Sequence, residues 1–239
     1  MMIKNIKPIR KLEILETYGL GKKFLYEPKT LSCFAGISFG SRYYSRKNIR
    51  DITINLLQYA KKILLIPWDK IYVHNIVAFQ DLCSEEAEKK LRRLKGEMER
   101  TLRKIKRGGC EFDVCFISEL YEDSDFIKLY NVMEEFYKKD LNFKKDLHER
   151  IIQTPFINSR LKEFGKEKAR KSLEIASKYA IGQTTAHIYL SHYTEYKVRI
   201  SNDLFPEFIK KMFNFEYKGL KEALGLKKEN LGYVRGVLK

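Results

Sequence analysis

The residue of this chain best suited to covalent chemistry is Ser38. It sits in AGISFGSRYYS, residues 35–45, where GISFG matches the G-x-S-x-G pattern of a nucleophile elbow. A serine so placed attacks an acyl carbon once a neighbouring group draws off its proton. His187 and His192 are available downstream, but nothing around them marks a triad with an acid. An elbow also needs several strands before it and a helix directly behind it. Only about thirty residues precede the Ser38 strand, and FGSRYYSRKN behind it reads as a polar, aromatic turn. A serine esterase is therefore the weaker reading of this motif.

Other reactive groups point nowhere specific. Cys33, Cys83, Cys110 and Cys115 form no C-x-x-C pair and read as reduced thiols of a cytoplasmic protein. Neither H-E-x-x-H nor a Cys/His cluster of zinc spacing occurs, so no metal is expected. G-x-x-x-x-G-K-[ST] and G-x-G-x-x-G are both absent, so neither ATP nor a dinucleotide is expected as cofactor.

Charge supplies the second lead. The 239 residues carry 47 Lys and Arg against 31 Asp and Glu, a formal net charge of +16. Such an excess implies a polyanionic partner or a lysine-rich solvated surface. Its placement favours the partner. Ser84 reads as the N-cap of a long helix, EEAEKKLRRLKGEMERTLRKIKR, stopped by Gly108 and Gly109. At 100° per residue, Leu91, Leu94, Met98, Leu102 and Ile105 share one side. Lys89, Arg92, Arg93, Arg100, Arg103, Lys104 and Arg107 share the opposite side, with Gly96 among them and Glu97 and Glu99 at the flanks. A stripe of one sign, whose members repel, fits a nucleic-acid backbone. The face opposite is apolar at core spacing, which argues against a membrane surface.

These residues need a frame. Leu31–Ile37 reads as a buried strand, residues 48–63 as an amphipathic helix, and KIYV at 70–73 as a second strand. FDVCFI at 112–117 reads as a third strand. Residues 123–139, 142–152 and 167–189 read as helices, 196–200 as a last strand, and 206–213 as a further helix. Strands alternating with helices imply an α/β fold, a parallel sheet with helices on both faces. The length suits one domain over 1–239. A strand-end serine and a basic helix without nucleotide motifs suit an acyl group that arrives already esterified to RNA.

GISFGSRYYSRKN resembles the nucleophile segment of the cyclodipeptide synthases. The basic helix lies where theirs grips tRNA, FISEL at 116–120 resembles their next strand-to-helix junction, and KSLEIASKYAIGQ at 171–183 resembles the helix with their paired Tyr and Glu. The resemblance spans roughly residues 30–215. It implies a Rossmann-like sheet flanked by helices, akin to the catalytic domains of class I tyrosyl- and tryptophanyl-tRNA synthetases. It also implies two aminoacyl-tRNA substrates. The first aminoacyl group becomes an ester of the serine, the second extends it to a dipeptidyl-enzyme, and the free amine closes a diketopiperazine.

Carried over by position, Ser38 is the nucleophile, Gly36 leaves room beside it, and Tyr179 holds the substrate amino group. Ser41 stands where one subfamily has Asn, which places this chain with the other. Phe34, Val73 and Ile117 are expected to line the first aminoacyl pocket, or else to be plain core. Gln183 departs from the family's Glu. An amide holds an ammonium less firmly than a carboxylate does, by about 1–2 kcal/mol. Impaired turnover, or a non-catalytic tRNA-binding relative, is the alternative this departure raises. The family's late tyrosine is assigned to Tyr196, with Ser201 and Phe205-Pro206 as other alignments. A monomer is expected.

Overall fold

Two apolar runs form the centre of the sheet. Ser32–Ile37 (β2) and Ile63–Pro67 (β3) are buried at every position, as strands covered on both faces must be. The computed structural model describes residues 8–39, 44–80, 82–201, 211, 216–217, 219–225 and 231–239. Around the central pair lie Leu12–Gly19 (β1), Asp113–Val114 (β4), Tyr196–Ser201 (β5) and Gly232–Leu238 (β6). The order across the sheet is β1-β6-β5-β2-β3-β4. Neighbouring strands run parallel except β1 and β6, which are antiparallel. The described helices are Gly21–Tyr26 (α1), Arg46–Leu56 (α2), Asp69–Phe79 (α3), Ser84–Arg107 (α4), Ile117–Leu120 (α5), Ser124–Lys139 (α6), Leu141–Ile152 (α7), Pro155–Glu163 (α8), Lys166–Tyr193 (α9) and Leu220–Leu224 (α10). None of them is long and apolar enough to cross a membrane.

Alternation along the strands sorts the core into two layers. Cys33, Ala35, Ile37, Ile63, Leu65, Val198 and Ile200 pack with Ile49 and Ile52 of α2 and with Met98, Leu102 and Ile105 of α4. Phe34, Leu64 and Ile66 face the other way and meet Ile71 of α3, Ile117 and Leu120 of α5, Phe126 of α6, and Ala186 and Leu190 of α9. A third cluster joins α6, α7 and α9 through Met133, Leu147 and Ile181. The Rossmann-like arrangement expected from the sequence is thus present, with an antiparallel strand added at one edge.

Several elements differ from their sequence expectation. KIYV at 70–73 is the first turn of α3, not a strand, and its neighbours Ile76, Ala78 and Phe79 are buried with Ile71 on one helix. The strand before it is Ile63–Pro67, which cuts the helix expected to reach residue 63 back to Leu56. FDVCFI supplies only β4, because Glu119 Oε1 accepts the Phe116 amide hydrogen at 3.0 Å and starts α5. Cys83, not Ser84, caps α4, and its amide donates to Glu86 Oε2 at 3.0 Å. The helices expected over 123–139, 142–152 and 167–189 are α6, α7 and α9. β5 is not the last strand, since β6 follows it. The helix expected over 206–213 lies, Lys211 apart, outside the described residues.

Candidate active site

Ser38 follows the last residue of β2, at the C-terminal ends of the parallel strands, where open α/β sheets place their ligands. Its hydroxyl lies 3.0 Å from the phenol oxygen of Tyr179, and either group can be the donor. Gln183 Nε2 donates to the same phenol oxygen at 2.9 Å. Tyr179 and Gln183 sit one turn apart on α9, so the helix itself sets their spacing. With its oxygen accepting from Gln183, the Tyr179 hydroxyl can pass its own hydrogen to Ser38 Oγ, or accept one from it.

The relay opens into a cavity of about 220 Å³. Ser38, Tyr179 and Gln183 line it together with Tyr72 and Asn75 of α3, Arg150 of α7, Thr154 before α8, and Arg199 of β5. The Tyr72 and Tyr179 rings meet edge to face, 6.4 Å between centroids, and Phe39 meets Tyr72 at 5.9 Å. Burial raises the Tyr72 phenol above its usual pKa, so it is neutral near pH 7. No aspartate, glutamate or histidine is among the described residues that line the cavity.

The histidines considered for a triad are engaged elsewhere. His187 is buried, packs edge to face on Phe34 and lies with Nε2 3.3 Å from the Gly232 carbonyl oxygen. His192 Nδ1 lies 3.2 Å from the Ile188 carbonyl oxygen of its own helix. Three of the thiols are no rivals to Ser38. Burial pushes the Cys33 and Cys110 thiols up, and burial with the Glu119 carboxylate beside it pushes Cys115 up to about 12.

The remaining expected site residues separate into groups. Phe34 and Ile117 are fully buried core, and Val73 is half-buried on α3; none of the three lines the cavity. Gly36 has a reason other than open room. A Cβ there would fall 2.0 Å from Trp68 Cζ2, so the indole already fills the space a side chain would need. Tyr196 starts β5, paired with Ser32 at the N-terminal end of β2, so it is about 20 Å of strand away from Ser38. Its hydroxyl donates to Asp113 Oδ2 at 2.6 Å. Ser201 ends β5 and is buried, also away from the cavity lining. Ser41, Phe205 and Pro206 lie outside the described residues.

On α4 the side chains fall as the wheel requires. Lys89, Arg92, Arg93, Arg100, Arg103, Lys104 and Arg107 are exposed, while Met98, Leu102 and Ile105 are buried. Arg93 meets Glu97 at 3.7 Å, an exposed pair worth at most about 1 kcal/mol. A Cβ at Gly96 would touch only the Arg100 guanidinium, at 3.5 Å. The helix is fixed to the site through Asp69, the first residue of α3 and 3% exposed. Its carboxylate accepts from Lys95 Nζ at 2.7 Å, Ser118 Oγ at 2.6 Å and the Ser118 amide at 2.9 Å. Tyr72 and Asn75, within two turns of Asp69, carry that link to the cavity.

Sequence reasoning did not single out Tyr72, Asn75, Arg150, Trp68 or Arg199. For Arg199 a signal existed. YKVRIS alternates polar and apolar residues, yet only Lys197 of its polar set escapes burial, so a charge had to be buried at 199.

No family model and no curated protein matches the sequence. Solved structures do match in fold. A cyclodipeptide synthase from Bacillus thermoamylovorans aligns with a TM-score of 0.75 at 17% identity, covering 94% of this chain and 96% of that one. A Mycobacterium tuberculosis protein, described as demonstrating that cyclodipeptide synthetases are related to type I tRNA synthetases, aligns at 0.70 and 13% identity, covering 98% and 96%. The cyclodipeptide synthase of Candidatus Glomeribacter gigasporarum, bound to Phe-tRNAPhe, aligns at 0.58 and 15% identity, covering 90% and 92%. The chain thus has the fold of the cyclodipeptide synthases, at sequence identities that leave its chemistry to be argued from its own residues.

Proposed function

We propose that the chain is a tRNA-dependent cyclodipeptide synthase that works through Ser38. The observation that carries this reading is the Ser38–Tyr179–Gln183 relay at a cavity whose described lining holds no carboxylate and no histidine. A serine with only a phenol beside it is a poor match for a stable amide. An aminoacyl-tRNA ester is already activated, and exchanging one ester for another needs little driving force.

In the first step Ser38 Oγ bonds to the aminoacyl carbon. The bond from that carbon to the ribose oxygen breaks, and the serine proton reaches the leaving ribose oxygen through Tyr179. In the second step the amine of the bound aminoacyl group attacks the ester of a second aminoacyl-tRNA, forming a peptide bond and freeing the second tRNA. The new terminal amine then attacks the Ser38 ester carbonyl. The diketopiperazine leaves and Ser38 recovers its proton. No water and no nucleotide is consumed. The exposed arginines and lysines of α4 hold the tRNA backbone, and the tRNA complex of a protein with the same fold supports that assignment.

The test is incubation with tRNAs charged with labelled amino acids. A labelled ester on Ser38 and a cyclodipeptide identified by mass are expected, both lost in Ser38→Ala. Product from Ser38→Ala would remove Ser38 as nucleophile. Binding of charged tRNA with neither acyl-enzyme nor product would favour the non-catalytic tRNA-binding reading that Gln183 raises.

A further inference from the structure

Arg199 is a charge without an acid. It lies on β5 between Val198 and Ile200, is 7% exposed, and lines the Ser38 cavity. Its Nε is buried and has no hydrogen-bond partner among the described residues, and no described carboxylate pairs with the guanidinium. The Trp68 indole lies 6.0 Å away, from guanidinium carbon to ring centroid. A buried, uncompensated arginine is costly, by several kcal/mol, unless something anionic meets it. A second guanidinium, that of Arg150, lines the same cavity. The described polar side chains that face Arg199 from the other walls, Asn75, Thr154, Thr184, Tyr179 and Gln183, are neutral.

We propose, resting on the function proposed above, that this cavity receives the side-chain carboxylate of an aspartyl or glutamyl group, with Arg199 as its counter-ion. A carboxylate and a guanidinium make two parallel hydrogen bonds, a geometry that Arg offers and Lys does not. A phosphate of the tRNA backbone carries similar charge, but phosphates have the exposed arginines of α4 to meet. The Arg199 backbone pairs with Phe34 inside the sheet, four residues before Ser38. Gln183 then has a second consequence. Its neutral amide lets the acidic side chain approach, where a carboxylate would repel it.

The experiment supplies the full chain with a complete set of labelled aminoacyl-tRNAs and reads acyl-Ser38 and products by mass. Cyclodipeptides containing Asp or Glu are expected. In Arg199→Gln the ratio of acidic to amide (Asn or Gln) product should fall ten- to a hundred-fold, and Arg199→Lys should recover part of it. Cyclodipeptides made only from neutral amino acids would overturn this proposal and leave the synthase reading standing. Absence of both acyl-enzyme and product from every donor would overturn the synthase reading, and this proposal with it. If Arg199→Gln lowers the rate equally for all donors, the guanidinium meets a group common to all, such as a tRNA phosphate, and the proposal fails. The wild-type panel decides the matter even if the variants do not fold.

Discussion

Ser38 Oγ and the Tyr179 hydroxyl lie at hydrogen-bond distance, and the Gln183 amide donates to the same phenol oxygen. On the proposed reading the phenol moves the proton that ester exchange must relocate. Tyr179→Phe keeps the ring against Tyr72 and removes the hydroxyl. Formation of acyl-Ser38 should slow by about 10²-fold, the lower range for a lost proton-transfer group. Single-turnover rates with one charged tRNA measure it; an unchanged rate would leave Tyr179 a packing residue. Gly36 presents a different residue-scale question, because its missing Cβ is what seats Trp68. Gly36→Ala should displace the indole and cost about 1–3 kcal/mol, the range for overpacking a tight core. Denaturant unfolding would register that loss, together with a change in tryptophan emission from the chain's one Trp.

Among the elements, α4 was legible from the sequence apart from its cap, whereas α3 was not, and the reason is length. Twenty-four residues show a helical wheel with both stripes, but the short run KIYV at 70–73 satisfies a strand and a buried helix equally. Strand β1 escaped notice because it lies at the sheet's edge and is only partly buried, and β6 because Gly232 and Gly236 interrupt its apolar pattern. The site suffered in proportion. Ser38 and the α9 pair carried a local pattern, while Tyr72, Asn75 and Arg150 reach the cavity only through tertiary packing. The stripe on α4 makes a prediction of its own. Arg100→Ala with Arg103→Ala should weaken tRNA binding and reduce the slope of log K against log salt by about two, near one per lost phosphate contact. Both side chains are exposed, so melting temperature should stay within about 1–2 °C. A salt slope equal to that of the parent would remove α4 from the interface. Asp69→Ala tests how α4 is anchored. It strips partners from Lys95 and from both donors of Ser118, at an expected cost of about 3 kcal/mol in unfolding free energy.

At the scale of the whole molecule, the excess positive charge and the buried histidines act in the same direction as pH falls. Burial, then the charge of Arg199, holds His187 well below its usual range. Burial, then Lys178, holds His74 down at about 4. Burial and Lys144 lower His148 as well. Each of these groups has a folded pKa below its unfolded value near 6.5, so the unfolded chain binds protons that the native chain refuses. Their contribution to stability is complete above pH 6.5 and declines as pH falls below it, for His74 down to about 4. Each histidine held neutral adds about 1.4 kcal/mol per pH unit to that decline. Together His187 and His74 should lower the unfolding free energy by about 3–4 kcal/mol between pH 7 and pH 5. The formal charge of +16 grows further on acidification, and self-repulsion adds loss of the same sign. Urea unfolding across pH 5 to 7 measures the slope. His187→Gln should flatten it by about 2 kcal/mol over that interval, whatever the substitution does to stability at pH 7. A variant whose profile runs parallel to that of the parent would show that His187 takes up its proton in the native fold, and that the charge of Arg199 is compensated well enough to tolerate a second cation against Phe34.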